Sequence, residues 1–285
     1  MSAPSTAFVK SYQDTITMLA QQMDNRLRSA VMVDTNWTGE EKYYDQYASD
    51  SMVEISSRLQ DTPVQDADHR RRRVTPRYFV SNTLEDPFEA LQMLVDPKST
   101  YMQAKKAAIN RQVDALIIEA FNATAYTGKT GSTSVTLAAA QKTTVGGGLT
   151  IAKLTKANQI LDAGEVERED RFIVVSSKQK EDLLNTTQVT SSDYNTVKAL
   201  VQGDIDTFCG FKFIHSEQLG TDSGSRRLCY AWQKKGMQLA IQKEAEGRLT
   251  ERPDKNYAWQ VYVRIALGVT RLEEARVVEI ACVES

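Results

Sequence analysis

The stretch DPKSTYMQAKKAAINRQVDALIIEAFNA, residues 96–123, decides the fold. Asp96 can cap a helix with its carboxylate, and Pro97 suits the first turn because it has no N–H to leave unpaired. Met102, Ile109, Val113, Leu116, Ile117, Ala120 and Phe121 then recur at helical spacing, which predicts one apolar face over 97–123. Lys105, Lys106, Arg111 and Glu119 fall mostly off that face. At 1.5 Å per residue such a helix runs about 40 Å, long enough to act as a spine.

Downstream, Tyr257, Trp259, Val261, Val263, Ile265, Leu267 and Val269 take every odd position, with Gln260, Arg264 and Thr270 among the even ones. Period two sustained this long predicts a strand over 257–270 with one buried face, about 45 Å in length. Between helix and strand lies an α/β pattern. Ile151, Leu154, Ala157 and Leu161 share a helical face that ends at Gly164. A buried strand at 171–176, short helices at 177–185 and 196–201, and strands at 208–216 and 228–232 follow, with a final strand at 276–282. Residues 124–148, rich in Thr, Ser, Ala and Gly, read as a loop or a loose hairpin. The fold class is α+β, an elongated domain in which helix and strand pack lengthwise, carrying an inserted α/β block.

Upstream, residues 31–86 are crowded with charge and aromatic side chains. Strand-like pieces at 42–47 and 74–80 flank a polar centre, which predicts a long two-stranded excursion too thin to bury a core of its own. Arg70, Arg71, Arg72 and Arg73 follow His69, and Arg77 comes soon after. Adjacent guanidinium groups repel, and nearby Asp66 and Asp68 can answer only some of them. These five arginines are therefore the candidate contacts to carboxylates of an adjacent subunit. Phe8, Tyr12, Ile16, Leu19, Met23 and Leu27 make one helical face at the N-terminus, to be covered by its own domain or by another subunit.

The chain has 285 residues, with Lys+Arg 35 against Asp+Glu 37, a formal net charge of −2. That balance argues against a dedicated nucleic-acid binder, whose affinity comes from basic excess. A hydrophobic share of 41% supports a real core, and no apolar run approaches the roughly 20 residues of a membrane span. The N-terminus lacks the regions of a signal peptide, and Cys209, Cys229 and Cys282 read as small buried residues of a reducing compartment. The triplets at Asn36, Asn122 and Asn185 then match the glycosylation pattern by coincidence. The expectation is a soluble cytosolic product.

Catalytic motifs fail on inspection. Gly128-Lys129-Thr130 ends like a phosphate-binding loop, but the glycine needed five residues earlier is Ala123, and no strand precedes it. Asp204 and Asp206 open like a calcium loop, yet the required glycine is Cys209 and the closing acid is His215. With His69 and His215 the only histidines, no paired-histidine metal site can form, and no nucleophile elbow or dinucleotide fingerprint is present. No catalytic residue, cofactor or metal is expected.

The order of elements, from helix through charged excursion, spine, inserted α/β block and long strand to a short final strand, resembles the major capsid (coat) protein of tailed bacteriophages, the Hong Kong 97-like fold. The resemblance lies in the excursion, in residues 96–106 leading into the spine, and in Gly203, Phe208, Cys209, Gly210, Phe211, Lys212, Phe213 and Ile214 with strand 228–232 and Lys234-Lys235-Gly236-Met237. It covers nearly the whole chain by order and texture, without a diagnostic short motif. It implies an N-terminal arm (1–30), an extended loop or E-loop (31–86), a peripheral domain (87–150 and 251–275) and an axial domain (151–250 and 276–285). It further implies a virion shell assembled in the host cytoplasm from pentamers and hexamers, an icosahedral head around double-stranded DNA held without sequence-specific contacts. The implied partners are the chain itself, a separate scaffolding protein and a portal, with room for a decoration protein, and no membrane. Some relatives crosslink Lys to Asn between subunits; no residue here matches such a motif. The competing classes are an encapsulin-like cellular compartment and a nucleotide- or nucleic-acid-binding protein using Lys129 or the arginines at 70–73.

Overall fold

The computed structural model describes residues 21–35, 37–48, 50–62, 64, 69–85, 98–143, 146–185 and 207–284. The helical face at 8–19, the Asp96 cap, the helix at 196–201, Asp66, Asp68 and the Asp204/Asp206 pair lie outside the described residues. Three helices, α1 (Lys98–Asn122), α2 (Ile151–Ala163) and α3 (Ser177–Asn185), and fourteen strands are described. The strands are β1 (Met32–Thr35), β2 (Lys42–Tyr47), β3 (His69–Val74), β4 (Arg77–Glu85), β5 (Ala125–Thr127), β6 (Thr133–Val135) and β7 (Lys142–Thr143). They continue with β8 (Arg171–Val175), β9 (Thr207–Phe208), β10 (Phe211–His215), β11 (Arg226–Gln233), β12 (Met237–Arg252), β13 (Ala258–Arg271) and β14 (Val277–Val283). The result is a mixed α/β architecture of few helices and several sheets.

Among the described residues the sheets run β1-β12-β13-β4, β7-β14-β11-β8-β10-β9 and β2-β3-β5-β6. Two compact units emerge. One holds Met1–Asp24, Tyr78–Arg111 and Ala245–Ile265; the other holds Asn25–Arg77, Gln112–Glu244 and Ala266–Ser285.

In the first unit, the N-terminal half of α1 buries Lys105, which the spacing had set off the apolar face. Its ammonium donates to Ser81 Oγ at 3.0 Å, and burial lowers its pKa from the ordinary lysine range. On β12 and β13 the Arg264 guanidinium meets Glu246 at 2.8 Å.

The second unit carries the main core. Val113, Leu116, Ile117, Ala120 and Phe121 of α1 are all buried, as their spacing requires. Phe121 stacks on Tyr230 at 4.9 Å and meets Trp232 at 4.6 Å, while the Trp232 indole donates to the Ala30 carbonyl at 2.8 Å. The six-stranded sheet pairs β8 in parallel with β10 and antiparallel with β11, and β11 in turn pairs antiparallel with β14. Strands covered on both faces read as unbroken apolar runs, as Ile173-Val174-Val175 does. Helix α2 starts where the Thr150 side chain accepts from the Lys153 amide and stops at Gly164, whose amide bonds back to Ile160 and Leu161 carbonyls. Lys153 lies on the buried face of α2, satisfied by the carbonyls of Gly147 and Ala281 at 2.7 and 2.8 Å.

Several expectations need correction. Strand β12, 16 residues long, went unforeseen because its first five residues are buried on both faces and the rest are polar, so it never alternates. In β13 the alternation is clean only from Val261 to Ile265; beyond it both faces are covered, and Gly268 backs so closely onto the Thr75 carbonyl that an added Cβ would sit 2.6 Å away. The strand pairing with β2 is β3, not 74–80: Pro76 has no N–H for a ladder and separates β3 from β4, which joins another sheet. The excursion's sheet is four-stranded at its root, because 124–148 does supply a hairpin, β5 with β6. Finally, residues 21–27 are not helical. The amides of Arg26 and Leu27 are taken by the buried Asp114 carboxylate at 2.9 and 3.1 Å rather than by carbonyls four residues back.

One acid-sensitive brace holds the six-stranded sheet's loops. Glu167 is kept down to about 2 by hydrogen bonds from Arg276 and then Lys235. A depressed carboxyl stabilises fully above its unfolded value of 4.5 and loses that contribution as pH falls towards 2. The thermal midpoint of the wild type should therefore fall more steeply through that acid window than that of Glu167→Gln. Parallel profiles would show the brace to be inert.

Candidate subunit interface

The arginine run lies on β3, in register with β2: Gln46 opposite Arg70, Asp45 opposite Arg71, Tyr44 opposite Arg72 and Tyr43 opposite Arg73. Alternation sends neighbouring guanidinium groups to opposite faces, which is how four adjacent arginines share one strand. Each face then supplies its own acids. Arg71 meets Asp45 at 2.6 Å across the ladder, in an exposed pair. Arg73 meets Glu41 at 2.9 Å and lies 4.8 Å over the Tyr126 ring. Arg77, on β4, reaches both oxygens of Glu119 at 3.0 and 2.8 Å.

Arg72 is different, because it is buried. Its Nε donates to the Leu272 carbonyl at 2.7 Å and its Nη2 meets Glu274 at 2.5 Å. The Gln46 amide donates to the same Leu272 carbonyl at 2.8 Å. Glu274 also faces Arg271 at 3.4 Å, which is fully buried. Arg271 in turn donates to the carbonyls of Phe121, Ala123 and Val135 at 2.7, 3.0 and 3.2 Å. It thereby answers carbonyls that the end of α1 leaves unpaired, and ties them to β6. Burial, only partly offset by Glu274, lowers the Arg271 pKa from the ordinary guanidinium range. The root of the excursion is thus a knot: β3 and β13 send Arg72 and Arg271 to the one Glu274 carboxylate, and Arg271 also holds the end of α1.

Arg71, Arg72, Arg73 and Arg77 each meet an acid of their own chain. Among the described residues their acids are Asp45, Glu274, Glu41 and Glu119. Arg70 lines a cleft of about 610 Å³ with Tyr47, Glu165 and Glu273. Nearby, Lys42 and Tyr44 both bond Asp34, and the Lys42 ammonium holds that carboxyl below the usual range.

Beyond the knot, the connection from β2 to β3 exposes apolar side chains: Met52 at 102%, Leu59 at 93% and Val64 at 89%, with Val53 and Ile55 beside them. Residues 50–62 carry no helix or strand. Such a run of large apolar groups offered to water has the chemistry of a docking surface. Charge drew the sequence reading to the stalk; the aliphatic residues set among acids and serines were the signal it passed over.

The competing chemistry finds no support. Lys129 is exposed in the β5–β6 turn, where Gly128 and Gly131 take positive φ of 95° and 61° to reverse the chain; nothing there resembles a strand-to-helix phosphate cradle. Among the described residues no group of three or more His, Cys, Asp or Glu could hold a metal ion. No described helix is long and apolar enough to cross a membrane.

The sequence matches the family model described as phage capsid protein over residues 5–284. No curated protein matches it. In structure it is similar to the capsid of the cyanophage P-SCSP1u (TM-score 0.75, 14% identity, 98% of this chain and 94% of that chain). It is likewise similar to the cyanophage Pam1 capsid asymmetric unit (0.76, 12%, 99% and 98%) and to the head of Helicobacter pylori bacteriophage KHP40 (0.75, 9%, 98% and 97%). A match that spans almost every residue, on a fold shared with phage heads, makes this chain a member of the phage capsid protein family, a structural shell protein of the virion and not an enzyme.

Proposed function

We propose that this chain is the major capsid subunit of a tailed phage, assembling with copies of itself into pentamers and hexamers of an icosahedral head around double-stranded DNA. The observation that carries the reading is the exposed apolar tip of the β2–β3 excursion, mounted on a root too well braced to be a floppy loop. Residues 31–86 then serve as the extended loop laid on a neighbour, with 1–30 as the N-terminal arm. Residues 87–150 with 251–275 form the peripheral domain, and 151–250 with 276–285 the axial domain. Near-zero net charge suits an inner wall that lies beside DNA without gripping it. A separate scaffolding protein and a portal are the further partners, with room for a decoration protein, and assembly takes place in the host cytoplasm.

Arg70, Arg71, Arg73 and Arg77 remain candidates for contacts between subunits, the exposed internal pairs of Arg71 and Arg77 being worth about 0.2–1 kcal/mol each. Arg72 serves the root of the excursion within its own chain, so testing the arm's charge at that position would damage the fold.

Met52→Asp with Leu59→Asp should leave subunits folded, since both side chains are already in water, yet abolish regular shells in negative-stain micrographs. Arg71→Glu should have a smaller effect of the same kind, and assembly should weaken with salt, whose screening length is about 10 Å at 0.1 M. Normal shells from the double variant at normal yield would refute this role for the excursion.

A further inference from the structure

Arg26 and His215 are joined twice. One Nη1 of Arg26 contacts His215 Nδ1 and donates to the His215 carbonyl, both at 2.8 Å. A guanidinium has no acceptor, so Nδ1 must be bare and the ring neutral, with its proton on Nε2. That proton is donated to Glu217 Oε1 at 2.8 Å. The same oxygen accepts from the Ser177 amide at 2.8 Å and hydroxyl at 2.6 Å, at the start of α3. Burial works against ionisation of Glu217, but the hydrogen bonds from Ser177 and His215 outweigh it and hold the carboxyl at about 2. On α3, burial and then the nearby charge of Arg26 lower the pKa of Lys180.

We propose that His215 is a pH-sensitive latch: neutral, it fastens residues 25–30 to the end of β10, and protonated, it loosens them. A second ring proton would sit on Nδ1, pointing at an Arg26 donor only 2.8 Å away. It would also add a third cation beside Arg26 and Lys180, with Glu217 the carboxylate in contact. Glu217 stays ionised in mild acid and still accepts from Nε2, so the ring keeps that bond and the Arg26 contact is the one that breaks. The bonds from the Arg26 and Leu27 amides to Asp114 then open more often, while Trp232 still holds the Ala30 carbonyl. The opening is therefore local fraying of an anchored segment, not unfolding. The latch stands apart from the excursion and from its role in assembly.

Hydrogen exchange on full-length, unassembled subunits tests this, comparing about pH 7.5 with about pH 5.5 after correction for intrinsic exchange. Protection of the Arg26 and Leu27 amides should fall about tenfold in acid while β11 and β14 hold theirs. His215→Gln keeps an acceptor and a donor on one amide but cannot gain a proton, so its protection should be equal at both pH values. His215→Lys, permanently cationic, should be loose at both. Unchanged wild-type protection, or a glutamine variant that follows the wild type, overturns the latch. Nitrogen chemical shifts of the two imidazoles give a check that needs no variant: a neutral His215 carrying its proton on Nδ1 would also overturn it.

Discussion

Ile117→Asp will not yield a folded subunit. Ile117 is fully buried one turn before Phe121, whose ring joins Tyr230 and Trp232 in the core of the larger unit. The substitution deletes that packing and places an unpaired carboxylate where no donor faces it. Burying such a group costs several kcal/mol, and losses beyond about 4 kcal/mol are rare for single changes. Domains of this kind have only about 5–15 kcal/mol to lose. The expected result is insoluble protein, or a cooperative denaturant midpoint that has disappeared. Lys106→Glu, exposed on the same helix, should unfold within about 0.5 kcal/mol of the wild type. A soluble Ile117→Asp subunit with a normal midpoint would mean that this face of α1 is open.

The second large effect is expected at Glu274. Its carboxylate stands between Arg72 and Arg271, whose side chains are 8% and 0% exposed. Glu274→Ala leaves two guanidinium groups close together with no counter-charge. Removing one partner of a buried pair costs about 3–5 kcal/mol, and the 22% exposure of Glu274 points to the lower end. The loss should appear as a lower thermal midpoint together with faster amide exchange in β2 and β3, because the knot fixes the excursion's root. Asp45→Ala, which breaks only the exposed pair with Arg71, should cost under about 1 kcal/mol. Equal, small effects at both positions would show that the knot contributes nothing.

What could be read in advance follows the range of the interactions. The spine was expected over 97–123 and spans Lys98–Asn122, and α3 coincides with its expected 177–185, because period and capping are local properties. β2 was likewise visible at 42–47. Strand β13 showed itself only through the half that alternates. β12 was hidden by burial on both faces, followed by a polar run that also fits a helix or a loop. The partners of the arginines were least accessible of all. Leu272 and Glu274 stand some two hundred positions from Arg72, and nothing near Arg72 in sequence announces them. The buried charges Lys105, Asp114, Lys153 and Arg271 share that difficulty. Each is satisfied by a backbone group or hydroxyl brought close only by the finished fold.

The place of β14 has a consequence for how the chain is made. It lies between β7 and β11, pairing along its length from Val277 to Val283, yet it is the last strand of its sheet to leave the ribosome. Until it arrives, β11 offers an open, apolar edge beside β8, and β7 has nothing to pair with. Edges of that kind recruit other chains. The interval between synthesis of β11 and of β14 is therefore the hazardous one, when nascent neighbours on the same message are the nearest strands available. A sheet closed by its latest strand also means that a chain cut short before Val277 leaves both β7 and one edge of β11 without their partner.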